Sequence, residues 1–281
     1  MAEVSAKDVA ALRKATGAGM MDCKEALTAS DGDVEAAKQW LREKGKAGAT
    51  KRASRAAEQG AIDVVVQDDV AALVELNCET DFVAKGAELQ AALGRLTTHV
   101  MTDGEENLAD QAFDGATVGE FLTLLSGKLG EKIELGRVAR FDSTDGMLDG
   151  YRHVQNERGT IGVLIELGGV ESSDAKAREV AHDIALHIAS AAPTYISRDD
   201  VPADVVAKER EVLEALTRNE GKPDKALPKI VEGRLSGFFK ASTLLEQAFV
   251  REPKTTIAQL LATLGDAATV RRFVRAKIGE A

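Results

Sequence analysis

The chain of 281 residues carries 46 acidic and 36 basic side chains, and the resulting net charge of −10 argues against a general nucleic-acid binder, which needs surplus Lys and Arg to neutralise phosphates. With 44% hydrophobic and 29% charged residues it can bury a sizeable core, on a length that suits about two domains. Aromatics make up only 4%, so that core must be mostly Ala, Val, Leu and Ile.

Met1 to Asp8 carry Glu3, Lys7 and Asp8 and no apolar stretch, so the start does not read as a signal peptide. No apolar run approaches the ~20 residues needed to span a bilayer, and a cytoplasmic protein without membrane contact is expected. Cys23 and Cys78 each lack a nearby Cys partner, which excludes a zinc ribbon, redox pair or disulfide framework and fits a reducing compartment.

Residues 1–44 read as a compact three-helix module. Ser5 is placed to cap the Asp8 amide with Asp8 reaching back, and Val4 and Val9 form a hydrophobic staple. Gly17 and Gly19 end this helix, and a second runs from Met20 through Leu27. Asp31-Gly32-Asp33 breaks it and caps a third, with Val34, Ala37, Trp40 and Leu41 on one face and Gly45 as its end. A module of about 40 residues can hardly bury Met20 and Met21 beside Cys23, Leu27, Leu12 and Trp40. One Met is expected to face out, and an exposed Met near Lys24 suits a helix-binding surface. Residues 45–59, with Lys46, Lys51, Arg52 and Arg55, read as a solvated connecting helix.

From Gly60 the pattern changes to alternation. Gly60 to Val66, a turn at Gln67-Asp68-Asp69, and Val70 to Leu76 read as a hairpin. A helix follows, with Leu89, Leu93, Leu96 and Val100 on one face. Between strand and helix stands Asn77-Cys78-Glu79-Thr80-Asp81-Phe82-Val83-Ala84-Lys85. In one reading Asp81 caps the helix and Phe82 is a core residue of its first turn. In the other, the acid and the ring project together into a partner.

The plan recurs from Gly150. Tyr151 to Val154, a turn at Asn156 to Gly159, and Thr160 to Leu167 precede a helix carrying Ala177, Val180, Ile184 and Ile188. The offset is 150 − 60 = 90. Two related hairpin-plus-helix units make the fold class α+β. Residues 199–219 and 224–239 read as antiparallel helices joined at Asn219 to Pro223, with stripes Val205, Val212, Leu213, Leu216 and Leu227, Ile230, Val231, Leu235. Those stripes are too narrow to cover a sheet as well, so the pair is expected to protrude and pack on itself. A helix over Thr255 to Leu264 and a strand over Val270 to Ile278, returning to the second sheet, close the chain.

Enzyme signatures are mostly absent. Gly17-Ala18-Gly19 opens no dinucleotide loop, and neither a phosphate-binding Gly-Lys-Ser/Thr loop nor a Gly-x-Ser-x-Gly elbow occurs. His182 and His187 are five apart and diverge on a helix, which is not zinc geometry. His99 and His153 stand alone. Cys78 has no His assignable nearby and reads as a small buried hydrophobe rather than a nucleophile. No catalytic residue, metal ligand or cofactor is expected.

Several long motifs in order carry a resemblance over nearly the whole chain. They are Leu12-Arg13, Thr16 to Lys24, Asn77 to Lys85, Tyr151-Arg152-His153, Ile188-Ala189-Ser190 before Pro193, and Val231-Glu232-Gly233-Arg234. With these the chain closely resembles bacterial elongation factor Ts. The resemblance implies a guanine nucleotide exchange factor for elongation factor Tu, binding its GDP-bound and nucleotide-free forms without direct nucleic-acid contact. It also implies a ubiquitin-associated-like module at 1–45, a linker at 46–59 and a core subdomain at 60–145. A second core subdomain at 146–198 and 240–281 would carry a coiled-coil hairpin inserted at 199–239.

By motif, Thr80, Asp81, Phe82 and Val83 correspond to the segment that intrudes beside the partner's magnesium site. Met20, Met21 and Lys24 match the surface that touches the partner's nucleotide domain. Leu129 and Gly130, within Gly127 to Glu131, and His153 match further contacts. The end at Gly279-Glu280-Ala281 lacks the helical extension of the longest members, so a contact made there would be missing. A protein-binding adaptor that works through residues 1–44 without exchange activity is the alternative, and an enzyme using Cys78 is a second.

Overall fold

The structure is a computed structural model that describes residues 4–280, apart from the Lys46 side chain. The expectations on Glu3, on Lys46 and on the final Ala281 lie outside the described residues.

Helix α1 (Ala6–Thr16) begins at Ser5, whose hydroxyl accepts the Asp8 amide at 3.2 Å. Asp8 returns to the Ser5 hydroxyl at 2.6 Å, not to the Ser5 amide that the capping box calls for. Val4 and Val9 join Leu12, Cys23, Ala26, Leu27 and Ala37 in one cluster. Gly17 ends α1 at φ +69°, a left-handed conformation that glycine adopts without strain. Helix α2 (Met20–Ala29) follows, and the Asp33 carboxylate caps α3 (Val34–Arg52) by accepting the amides of Glu35 and Ala36. Two expectations fail here. Val34 is exposed rather than sharing the face of Ala37, and α3 passes through Gly45 and Gly48 to Arg52 instead of stopping.

The hairpin of β1 (Gln59–Gln67) and β2 (Val70–Cys78) turns at Asp68-Asp69, with Gln67 opposite Val70. Then come α4 (Asp81–Lys85), α5 (Ala87–Asp103), a 3-10 turn at Leu108–Asp110, and the small hairpin β3 (Ala112–Phe113) and β4 (Ala116–Thr117). Helix α6 (Val118–Leu129) leads to β5 (Glu134–Asp142), which pairs with β2 to give the order β1-β2-β5.

The second half begins with β6 (Gly146–Gln155) and β7 (Arg158–Gly168), followed by α7 (Ala175–Ala191), α8 (Ala203–Asn219) and α9 (Leu227–Ser242). A 3-10 turn at Leu244–Glu246, β8 (Ala248–Phe249), β9 (Glu252–Thr256), α10 (Ile257–Ala262) and β10 (Thr269–Lys277) complete it, in the order β10-β7-β6. Apart from the α8/α9 pair, and from α4, which has no counterpart between β7 and α7, the second half repeats the element order of the first. The hairpin turns, Asp68-Asp69 and Asn156-Glu157, are 156 − 68 = 88 apart rather than 90. Both offsets are even, so either keeps the same side chains on the buried face of a period-2 strand.

Each sheet covers a core of its own. Val74 and Leu76 meet Leu89, Leu93, Leu96 and Leu122 in the first half. Val163, Ile165 and Leu167 meet Ile184, Ile188 and Leu261 in the second. The remaining sheet faces pack on each other through Ile62, Leu73, Phe141, Leu148 and Leu164. Gly162 permits this approach, since a Cβ there would lie 2.5 Å from Ile62 Cγ2.

Gly45 stays helical because α3 lies against α6. A Cβ on Gly127 would sit 3.2 Å from the Gly45 Cα, and Arg52 Nη2 donates to the Ser126 carbonyl at 3.2 Å. The helix up to Arg52 is therefore docked on α6 through Arg52, while Lys51 stays exposed as expected.

Helices α8 and α9 bury Val205, Val206 and Leu213 against Leu235 and Phe239, in a cluster that contains no residue of either large sheet. Arg210–Glu232 at 3.1 Å and Arg234–Glu220 at 2.7 Å join their flanks. Val212 and Leu216, expected in the inner stripe, are exposed, and Val206 and Thr217 are turned inward in their place. Both ends of the pair meet at its root, where the amides of Thr194 and Tyr195 donate to the Ser242 carbonyl at 2.9 and 3.0 Å.

Candidate functional site

Strand β2 ends at Cys78 and the chain turns at Thr80, whose extended backbone and hydroxyl make it the cap of α4. The hydroxyl accepts the Val83 amide at 3.3 Å. Asp81 does not cap. It is the first residue of the helix, and its carboxylate pairs with Lys85 at 2.6 Å, which holds its pKa below the ordinary value. Gly86 adopts an extended conformation (φ −61°, ψ 137°), so α4 is a single turn separated from α5. On so short a helix, Ala84 is buried, Val83 packs partly on the core, and Phe82 points away.

Phe82 is 82% exposed, so it is not a core residue. Burying a Phe side chain contributes roughly 1.5–3 kcal/mol, and this ring forgoes that gain within its own chain. The Lys85 ammonium lies 5.9 Å from the ring centre.

The turn is held from below by two carboxylates. Glu131 Oε2 accepts the Glu79 and Thr80 amides at 3.1 and 3.0 Å, and Oε1 accepts the Thr80 hydroxyl at 2.5 Å. In return, Glu79 accepts the Lys132 amide at 2.7 Å and Arg55 Nη1 at 3.2 Å, and the Lys132 amide is the main cause of its lowered pKa. This clasp ties Glu131 and Lys132, which directly follow Leu129 and Gly130 in the chain, to the Thr80 turn. Leu129 ends α6 half-buried, and Gly130 is exposed at φ +75° with its amide on the Ser126 carbonyl at 2.9 Å. Reading the sequence assigns no role to Glu131. The only signal is its place at the end of the Gly127 to Glu131 motif.

On α2, Met20 and Met21 are 57% and 66% exposed, so both face out rather than one. Lys24 is exposed one turn beyond Met20, while Cys23, Ala26 and Leu27 form the buried face. Asp22 and Glu25 both hold Lys44, each at 2.7 Å. The α1–α2 turn abuts the end of α6, where the Lys128 side chain occupies the space a Cβ on Gly17 would need.

His153 is exposed on β6, with Nδ1 3.1 Å from the Tyr151 hydroxyl. The Tyr151 ring meets the His182 ring edge-on, and His182 Nδ1 lies 3.2 Å from Asp149, whose pKa burial raises. Among the described residues no hydrogen bond or ion pair joins His153 to the Thr80 turn. However, Arg158 moors this hairpin tip to the Gly60 carbonyl at 2.8 Å and to Gln59 at 2.7 Å, and Gln59 is the residue opposite Cys78.

Burial and the Glu131 charge push the Cys78 thiol up to about 11, so at neutral pH it is an S–H, donated to the Thr80 carbonyl at 3.2 Å. His187 is fully buried between Gln247 and the Val250 amide, and burial lowers its pKa. Among the described residues no group of three or more His, Cys, Asp or Glu is arranged to hold a metal, and no helix is long and apolar enough to cross a membrane. A cleft of about 970 Å³ lies between α3 and the α5/α6 pair, lined in part by Arg42, Lys51, Arg52, Arg95 and Phe121. It does not include the Thr80 turn.

What the arrangement offers is a rigid apolar ring, an ionised acid beside it, and a braced base. A family model described as elongation factor TS matches residues 79–280. An elongation factor Ts from Streptomyces avermitilis is 47% identical over 287 aligned residues, covering 99% of this chain and 100% of the relative. That from Thermobifida fusca is 48% identical and that from Mycobacterium avium 46%, each covering 100% of both chains.

Proposed function

The chain belongs to the elongation factor Ts family and is thus a translation elongation factor, and from that premise we propose that it binds elongation factor Tu carrying GDP and speeds GDP release. The observation that carries this reading is the outward Phe82 on a braced single-turn helix. A GTPase holds GDP largely through magnesium and a backbone cradle around the phosphates. Magnesium demands near-ideal octahedral oxygen geometry at about 2.0–2.1 Å, so displacing one liganding element by an ångström or so spoils the site. Phe82 enters the partner as the wedge, gaining in that pocket the burial it lacks here. Val83 and Thr80 fix the turn behind it. Asp81 offers an ionised carboxylate to donors or water near the metal, exchanging its Lys85 partner for them.

The factor performs no covalent step. It binds nucleotide-free Tu more tightly than Tu–GDP, and by reciprocity GDP binds the complex more weakly by the same factor. Met20, Met21, Lys24, Leu129, Gly130 and His153 supply the affinity that offsets the cost of distorting the partner. The division proposed for this work is a ubiquitin-associated-like module at 1–45, a linker at 46–59, core subdomains at 60–145 and at 146–198 with 240–281, and an inserted coiled coil at 199–239. The repeated element order and the joined root of α8 and α9 support the two core subdomains and the insertion, whereas α3 runs across the 45/46 boundary to Arg52. A cytoplasmic setting, with neither membrane nor nucleic acid as direct partner, belongs to the same proposal.

The test is release of labelled GDP from elongation factor Tu with and without this protein. Acceleration at substoichiometric protein supports the reading, and an unchanged rate rejects it.

A further inference from the structure

Strand β2 leaves its ladder with β5 at Asn77, opposite Glu134. The next amides in line, those of Glu79 and Thr80, have no strand to donate to, and an unpaired backbone donor is costly. Both go to one side chain, the Glu131 carboxylate, which also takes the Thr80 hydroxyl proton. Hydrogen bonds to an ionised acceptor are about twice as strong as neutral ones. Because the Thr80 proton is committed to Glu131, the hydroxyl lone pair is free to cap Val83. Glu79 closes the clasp from the other side on the Lys132 amide.

The ring depends on this arrangement. Helix α4 has five residues, far below the ~12–15 at which an isolated helix becomes even marginal in water. Ala84 and Val83 anchor its rear to the core, and the Gln90 side chain holds the Ala84 carbonyl at 2.7 Å. Its front, where Phe82 emerges, is fixed through Thr80 and therefore through Glu131. The same carboxylate follows Leu129-Gly130 directly in the chain, so it sets the distance between the two partner-facing segments.

We propose that Glu131 is a positioning residue for exchange: it touches neither nucleotide nor magnesium, and it acts by fixing the direction in which the Thr80 turn presents Phe82. This rests on the reading of Phe82 as the wedge. Glu79 is the reciprocal half of the same device.

The experiment measures release of fluorescent GDP from elongation factor Tu against concentration of the full chain, for wild type, Glu131→Ala, Glu131→Gln, Phe82→Ala and the double variant Phe82→Ala/Glu131→Ala. A sub-ångström misplacement is expected to lower the saturating rate of Glu131→Ala about tenfold, while the half-saturating concentration moves less than about twofold. Glu131→Gln keeps one acceptor oxygen and should fall in between, and it serves alone if Glu131→Ala does not fold. Amide exchange at Glu79 and Thr80 should speed up in both Glu131 variants. The double variant should be no slower than Phe82→Ala, because Glu131 acts through the ring. A wild-type saturating rate in the Glu131 variants, or losses that multiply in the double variant, overturns the proposal while leaving the wedge intact. A wild-type rate in Phe82→Ala removes the wedge itself, and the two failures are told apart in one data set.

Discussion

Phe82 makes so few contacts of its own that Phe82→Ala should shift stability by less than about 0.5 kcal/mol, as surface substitutions do, while slowing GDP release. Equal thermal midpoints with unequal release rates would check this. Cys23 and Cys78 are both buried, and Cys78 is a protonated thiol, so native protein should resist thiol reagents at neutral pH and react only when unfolded. Cys78→Ser should then retain exchange; its loss would favour the thiol-enzyme alternative. His187 gives a pH signature. Burial lowers its pKa from 6.5, so the unfolded chain takes up the proton first. Its contribution is intact above about pH 6.5 and is lost as pH falls through the lower folded value. The midpoint of wild type should therefore drop more steeply between pH 7 and pH 5 than that of His187→Gln. Among site residues, Met20, Met21 and the Asp81-Phe82 pair were legible as candidates, but the direction of Phe82 was not. Spacing places it on the first turn of a long helix, and only the break at Gly86 turns it outward. Glu131 was illegible because its partners are 51 and 52 residues away.

The α8/α9 pair gives a direct test among the elements. Its two ends are joined by the Thr194 and Tyr195 amides on Ser242, and by the Leu244 amide on the Tyr195 carbonyl at 2.8 Å. Replacing residues 199–240 with a short Gly/Ser turn should leave a cooperatively folding protein with its sheet signal intact in circular dichroism. Loss of folding would show that α8 and α9 are structural. The hairpins β1/β2 and β6/β7, their turns and the long helices α5 and α7 follow from alternation, turn residues and 3.6-residue periodicity, and could be read directly. Gly45 could not, since a glycine near a helix end signals a stop until its contact with Gly127 is known. Residues 104–145 carry weaker signals. Helix α6 carries Val118, Leu122 and Leu125 at helical spacing, but β3 and β4 are two residues each, and β5 interrupts its alternation with Arg137 and Arg140.

For the whole molecule, the internal repeat was visible in one hairpin and its helix, yet it extends through the small hairpin, a helix and a third strand. Those later parts are too short or too charged to recur audibly in sequence. The module and the core share the α3/α6 contact, so a truncation that tests the adaptor alternative should remove residues 1–53, not cut α3 at Gly45. The truncated chain should bind elongation factor Tu more weakly and still accelerate release, whereas an adaptor would lose all binding. What matters most is the proposed action of Phe82 on the partner's magnesium site. It is tested most directly by GDP release at saturating factor, comparing wild type with Phe82→Ala in millimolar magnesium and again with magnesium chelated. Phe82→Ala should show a large defect in magnesium that disappears once the metal is gone; a defect of equal size in both conditions, or none in either, would rule out action through the metal.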